Sequence, residues 1–307
     1  MIKRTIFISN PTNIFKKNNQ LILDFPDRDK DSVSIPIEDI GILILDNYNI
    51  KLTLALITAL QSNNAVIINC DEKHLPQGVM LPFWTHSNFT ERLWMQMEAS
   101  EPLKKNLWQQ TVAAKITNQA YLLNMLDVEC GNMLSWSKKV KSGDPENLEA
   151  RAASWYWEHL FGEDSGFRRK RFGEAPNNLL NYGYAILRAV VARSLVGSGL
   201  LPALGIHHSN RANAFCLADD VMEPYRPFVD QLVLEIMDAH EEFEDLTPSI
   251  KKELLQIPAI TVTINHNKSP LMVALQQTTA SLAACLNGEI KRIKYPGFYE
   301  SNDNDDE

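Results

Sequence analysis

The hydrophobic pattern changes period once along the chain. Over residues 1–80 the apolar positions come in short runs of strand length, rich in β-branched and large side chains, at 5–9, 21–25, 33–37, 40–45 and 65–69. Asn, Asp and Pro clusters (NPTN, DRDKDS, DNYN) separate them, and the stretch 51–61 between the last two runs has helical spacing. Segment 74–88, with Pro76, Gly78 and Pro82, breaks both periods, and the linker is expected at 81–88. From residue 89 the spacing is helical, at 89–99, 103–126 and 129–141. A further helix opens in GDPENLEARAASWYWEHLF, with Asp144 as N-cap and Pro145 at the first helical position. Helices follow at 177–199, 225–244, 247–256 and 269–287, and 261–264 reads as a strand pair or an extended connector. The pattern predicts an α+β chain: a small N-terminal β-rich domain at 1–80 and a larger all-helical domain at 89–299, ending in an acidic disordered tail at 300–307.

Composition narrows the class. The 307 residues are 45% hydrophobic and 22% charged, which suits a folded chain with a real core. Neither a membrane-spanning run nor a signal peptide is legible, so a cytoplasmic location is expected. Cys70, Cys130, Cys216 and Cys285 are scattered without a C-x-x-C spacing, the pattern of reduced, packed thiols. Cys70 and His74 in CDEKH make only a lone pair of possible ligands. The formal charge is −8, but the tail at 300–307 supplies five acids and no base. Basic clusters remain at 104–105, 138–141, 168–171 and 291–294, so the net charge does not exclude a nucleic-acid partner.

Candidate chemistry concentrates in GLLPALGIHHSNRANAFCLADDVMEPYRP, residues 199–227, where His207, His208, Asp219, Asp220, Glu223 and Arg226 stand among small and apolar residues. Leu217, Val221 and Met222 place the acids on a helix, four and three residues apart, with Pro224 tolerated only at a kink or first turn. Buried carboxylates need a counter-charge, and one divalent cation can serve several. The stretch therefore reads either as half of a metal site or as a solvated, internally paired helix face. Glu149, early in its helix among alanines, reads either as a site residue or as a first-turn acid favourable to the helix dipole. Four adjacent cations, Arg168, Arg169, Lys170 and Arg171, read as a phosphate contact or as a solvated loop. Tyr182 and Tyr184 read as core aromatics, and GEIKRIKYPGF as a basic arm. There is no phosphate-binding glycine loop, G-x-S-x-G or H-E-x-x-H.

With Glu149, Asn181-Tyr182-Gly183-Tyr184 and the 199–227 block in place, nearly the whole chain resembles a known family: the CRISPR-associated integrase/endonuclease of spacer acquisition, the first-numbered Cas protein. The start RTIFISN, IPIEDIGILILDN and VIINCDEKHLP share the likeness, and HSNFTERLWMQ together with the histidine block resembles the type II version. The resemblance implies a dimerising β domain and a helical catalytic domain. It also implies a Mg²⁺ or Mn²⁺ site of Glu149, His208 and Glu223, with His207 and Asp220 as the alternative ligands. The implied activity joins 3′-OH ends of short foreign duplex DNA (the prespacer) into the CRISPR repeat by transesterification. The implied partners are DNA, a second copy of the chain, the small dimeric second-numbered Cas protein in a heterohexamer, and the RNA-guided effector nuclease as a further candidate, with no membrane. Arg168, Arg169, Lys170, Arg171, Lys138 and Lys139 are the candidate DNA-backbone contacts. Two rival functions stand beside it: a metal-dependent DNA nuclease that cuts without joining, and a non-enzymatic scaffold of the adaptation complex.

Overall fold

A computed structural model describes residues 3–26, 31–83, 86–162, 165–170 and 173–298. The acidic tail expected at 300–307 and Arg171 lie outside the described residues.

Two four-stranded sheets form the N-terminal part. In the first, β1 (Arg4–Ile8), β5 (Ile40–Leu45) and β7 (Val66–Cys70) run parallel, and β8 (Pro76–Met80) closes one edge antiparallel to β7. In the second, β2 (Asn13–Lys17), β3 (Gln20–Asp24) and β4 (Val33–Pro36) form an antiparallel meander, and β6 (Lys51–Leu52) lies parallel to β2. Helix α1 (Leu54–Ser62) buries Leu56 and Leu60 in the core of this second sheet. The continuous apolar runs of β5 and β7 have a physical cause, since both faces are covered. Leu43 and Ile67 face the second sheet's core, whereas Ile42, Ile44, Val66, Ile68 and Cys70 join the core of the helical part. The β-rich part is therefore packed into the helices through its central strands.

Three strands of the N-terminal part escape the hydrophobic pattern. In β2 only Ile14 is fully buried, the two-residue β6 falls at the start of the stretch read as helical, and β8 sits in the segment where periodicity breaks. Strand β8 is held by backbone pairing. At Gly78, opposite Asn69, an added Cβ would stand 2.1 Å from the Asn69 amide oxygen, so the pairing needs glycine.

The helices are α2 (Phe89–Glu98), α3 (Glu101–Met125), α4 (Gly131–Lys139), α5 (Leu148–His159), α6 (Asn177–Gly197), α7 (Cys216–Met222), α8 (Arg226–Ala239), α9 (Pro248–Leu254) and α10 (Leu271–Leu286). An antiparallel hairpin, β9 (Thr261–Ile264) with β10 (Asn267–Pro270), occupies the ambiguous 261–264 stretch. The expected β-rich-then-helical α+β arrangement is observed. Helix α5 starts later than the sequence predicts. Gly143 and Asp144 both have positive φ, 78° and 49°, and turn the chain so that Pro145 precedes the helix. Asp144 still caps it from a distance, its carboxylate accepting from the amides of Leu148 and Glu149 at 3.0 and 2.9 Å. The basic segment 289–298 is a docked strap: Gly297 bridges to β9, and Asn118 of α3 donates to the Pro296 carbonyl at 3.0 Å. All four cysteines are free and buried. Among the described residues, no helix is long and apolar enough to cross a membrane.

Candidate active site

The site is built where α3, α5 and the α7–α8 junction meet. Glu149 stands in the first turn of α5, with Ala152 and Tyr156 buried on the same side of the helix. Glu223 opens the single 3₁₀ turn Glu223–Tyr225 that joins α7 to α8, where Pro224 interrupts the helix as its missing N–H requires. Lys115 projects from α3 between these two acids. Its Nζ lies 2.5 Å from Glu149 Oε1 and 2.6 Å from Glu223 Oε2. Arg226 approaches the other Glu223 oxygen, Nη2 to Oε1, at 2.9 Å.

Glu223 is only 4% exposed. Burial alone would raise its carboxyl pKa, but Arg226 and then Lys115 outweigh burial and hold it below the ordinary value. For Lys115 burial works against the ammonium, and Glu223 and Glu149 reverse that and raise its pKa. The buried Glu223 Oε2 thus lies against the Lys115 ammonium.

The histidine turn is organised by Asp220, which is fully buried. Its Oδ2 accepts from the amides of Ile206 and His207 at 2.7 and 3.0 Å, and its Oδ1 accepts from the His208 amide at 3.2 Å. The His208 ring lies on the same carboxylate, Nδ1 to Oδ1 at 2.5 Å, and that hydrogen bond is the main reason its pKa is raised. Bonded through Nδ1, the ring keeps Nε2 for another partner. Gly205 makes the turn possible, since a Cβ there would stand 2.2 Å from the His208 carbonyl oxygen and 2.8 Å from Asp220 Oδ2. His207 turns away and stacks on buried Trp108, centroids 4.0 Å apart and planes within 3°.

Asp219 and Asp220 of α7 and Glu223 just after it take separate partners. Asp219 accepts from Arg188 Nε at 2.6 Å and Asn213 Nδ2 at 2.7 Å, Asp220 serves the histidine turn, and Glu223 meets Lys115 and Arg226. The structure thus brings Glu149 and Glu223 together on one ammonium. Among the described residues, no three His, Cys, Asp or Glu side chains stand close enough to hold a metal as they are. The donor set fits a hard divalent ion nonetheless. Two carboxylates converge on one cationic point, and an imidazole oriented by a carboxylate stands on the neighbouring turn.

Behind Arg226 lies a second layer that sequence reasoning missed. Asp230 of α8, 1% exposed, accepts from Tyr156 of α5 at 2.7 Å and from Tyr184 of α6 at 2.5 Å. Burial pushes its carboxyl up to about 6. The Tyr184 ring also carries the Arg226 and Arg169 guanidiniums, 4.9 and 5.2 Å from its centroid. The expected core role of Tyr182 and Tyr184 is observed, with Tyr184 supporting the site as well. Lys115, Trp108, Arg188 and Asp230 were invisible in the sequence, apart from the oddity of a lysine on the buried side of α3 beside Val112 and Ile116.

Of the basic candidates, Arg168 and Lys170 are exposed. Arg169 is half-buried and committed inward, donating to Asn177 at 3.0 Å and Asn181 at 2.7 Å. Lys138 and Lys139 are exposed at the end of α4, and Lys138 lines a cleft with Lys291 and Arg292 of the docked strap.

The family described as CRISPR associated protein Cas1 matches the chain over residues 6–246. A CRISPR-associated endonuclease Cas1 from Neisseria meningitidis serogroup C (strain 8013) is 36% identical over 299 residues, covering 96% of each chain. Among solved structures, a casposase bound to integration product has a TM-score of 0.79 at 20% identity, covering 95% of this chain and 92% of its own. A Cas1 protein from Thermotoga maritima has a TM-score of 0.75 at 17% identity, with 93% and 97% covered.

Proposed function

This chain belongs to the CRISPR-associated Cas1 family, and from that premise we propose that it is a metal-dependent DNA integrase of CRISPR adaptation. It joins the 3′-hydroxyl ends of short foreign duplex DNA to the CRISPR repeat by transesterification, without a covalent enzyme intermediate. Family membership makes it a CRISPR-associated DNA endonuclease.

One observation carries the metal reading: Glu149 and Glu223, from separate elements, already close on a single cation at 2.5 and 2.6 Å. With His208 they form the ligand set, and the stacking of His207 on Trp108 favours His208 as the imidazole. The pairing of Asp220 with the histidine turn favours Glu223 as the second acid and gives Asp220 the part of orienting His208. A bound Mg²⁺ or Mn²⁺ supplies the charge that polarises the scissile phosphodiester and stabilises the attacking and leaving oxygens. The chain's own groups prepare the site. Arg226 fixes one Glu223 oxygen, Asp144 holds the first turn of α5 and so the backbone of Glu149, and Asp220 keeps His208 Nε2 available. Arg168 and Lys170 on their exposed loop, and Lys138 and Lys139 at the end of α4, contact the DNA backbone. A second copy of the chain, associating through the β-rich part, and the Cas2 protein complete the working assembly.

A strand-transfer assay with short duplex DNA and a repeat-bearing plasmid tests this. EDTA is expected to abolish joining. Glu149→Ala, His208→Ala and Glu223→Ala are each expected to lower it by roughly two orders of magnitude or more, the scale of losing one charge-stabilising group. Cutting without joining would establish the plain nuclease instead, and full activity in EDTA would remove the metal.

A further inference from the structure

Lys115 is only 7% exposed, and its neighbours on the inner side of α3, Val112 and Ile116, are fully buried. A lysine in such a place needs a partner to stay charged. It has two, and they are the two acids read above as metal ligands. The charges of the group cancel as it stands, Lys115 and Arg226 against Glu149 and Glu223. A divalent ion entering with the ammonium in place would leave a strongly positive cluster in a buried setting, which is costly.

We propose that Lys115 is a resident counter-ion of the Glu149–Glu223 pair that gives up its place when a divalent cation binds. The inference rests on the metal reading of those two acids. Two features make the exchange physically direct. The Glu149 side chain is 29% exposed, which leaves an entry on that side of the pair. The four-carbon stem of lysine lets the ammonium withdraw while α3 stays in place. Both acids also have supports of their own once the ammonium has gone. Arg226 holds Glu223 Oε1 at 2.9 Å, and the first turn of α5 is capped by Asp144. The ammonium thus occupies the metal position in the metal-free protein, keeps two carboxylates from repelling each other, and sets the concentration of metal needed to load the site.

The test titrates the full chain with Mn²⁺ by calorimetry, without DNA. Wild type is expected to bind, and Glu149→Gln to lose that binding. Lys115→Met is expected to bind about tenfold tighter or more, because the apparent dissociation constant falls as the fraction of protein with a free carboxylate pair rises. The metal-free Lys115→Met protein is expected to melt at a lower temperature than wild type and to recover when Mn²⁺ saturates it. A folded Lys115→Met variant with unchanged or weaker Mn²⁺ affinity overturns the proposal, since Lys115 would then be a fixed support. If that variant does not fold, labelling of wild type decides. Reductive methylation of Lys115, followed by mass spectrometry, is expected to be faster in Mn²⁺ than in EDTA, and an equal or slower rate overturns the exchange. Wild type that binds no Mn²⁺, or binds it equally in Glu149→Gln, overturns the metal reading beneath the proposal and the proposal with it.

Discussion

Asp220 commits both carboxylate oxygens to residues 206–208, holding three backbone amides and the ring of His208. Its effect on chemistry therefore passes through the orientation of that ring. Asp220→Asn is expected to stay folded while Mn²⁺ affinity falls by about 10–100-fold, the usual cost of losing a ligand's supporting partner; calorimetric titration reads it directly. Gly205 has less freedom still, because the atom a side chain would strike at 2.2 Å is backbone. Gly205→Ala is expected to cost about 1–3 kcal/mol of stability in urea unfolding. Asp230 gives the pH dependence. Its folded pKa of about 6 lies above the ordinary carboxylate value of 3.8 because it is buried. The stabilisation tied to its bound proton is complete below the unfolded value and is lost as pH rises through about 6. The stability of wild type relative to Asp230→Asn is expected to fall by about 2 kcal/mol between pH 4 and pH 7. Urea unfolding across that range checks it, and a flat difference would remove Asp230 as the titrating group.

Among the elements, α5 shows best how far local pattern reaches. Its acidic first turn and its capping acid were legible, yet its start and its buried side, Leu148, Ala152 and Tyr156, were not. The turn at 143–147 is set by positive φ at Gly143, Asp144 and Asn147, which no apolar spacing records. Asp144→Ala is expected to cost about 1–2 kcal/mol in thermal unfolding, as loss of a capping carboxylate does, and to lower strand transfer because the Glu149 amide is one of its two partners. Helix α7 shows the opposite limit. Its apolar residues were read correctly, but every residue of it is buried, so Asp219 and Asp220 are sorted by their neighbours, one to Arg188 and Asn213 and the other to the histidine turn. Strand β8 was missed because backbone pairing with β7 needs no alternation of side chains.

At the scale of the molecule, the central strands β5 and β7 place Ile42, Ile44, Val66 and Ile68 in the same core as α3, α6 and α10. Unfolding is therefore expected as one calorimetric transition, and a fragment ending at residue 80 is expected to be insoluble, with that apolar face uncovered. Two separate transitions would show that the β-rich part stands alone. The ion pair of Asp46 with Lys251 at 3.2 Å and its hydrogen bond with His74 at 2.8 Å tie the end of β5 to α9 and to the turn before β8 across this joint. By itself the sequence determined the change from a strand-rich to a helical part and the segments that carry Glu149, His208 and Glu223, because period, caps and motif spacing depend on neighbours within a turn or two. Only the tertiary structure decided which acids share a cation, which histidine stacks on Trp108, and that Lys115 stands between Glu149 and Glu223. Those outcomes turn on distance and burial between residues far apart in the chain, and a local pattern carries neither.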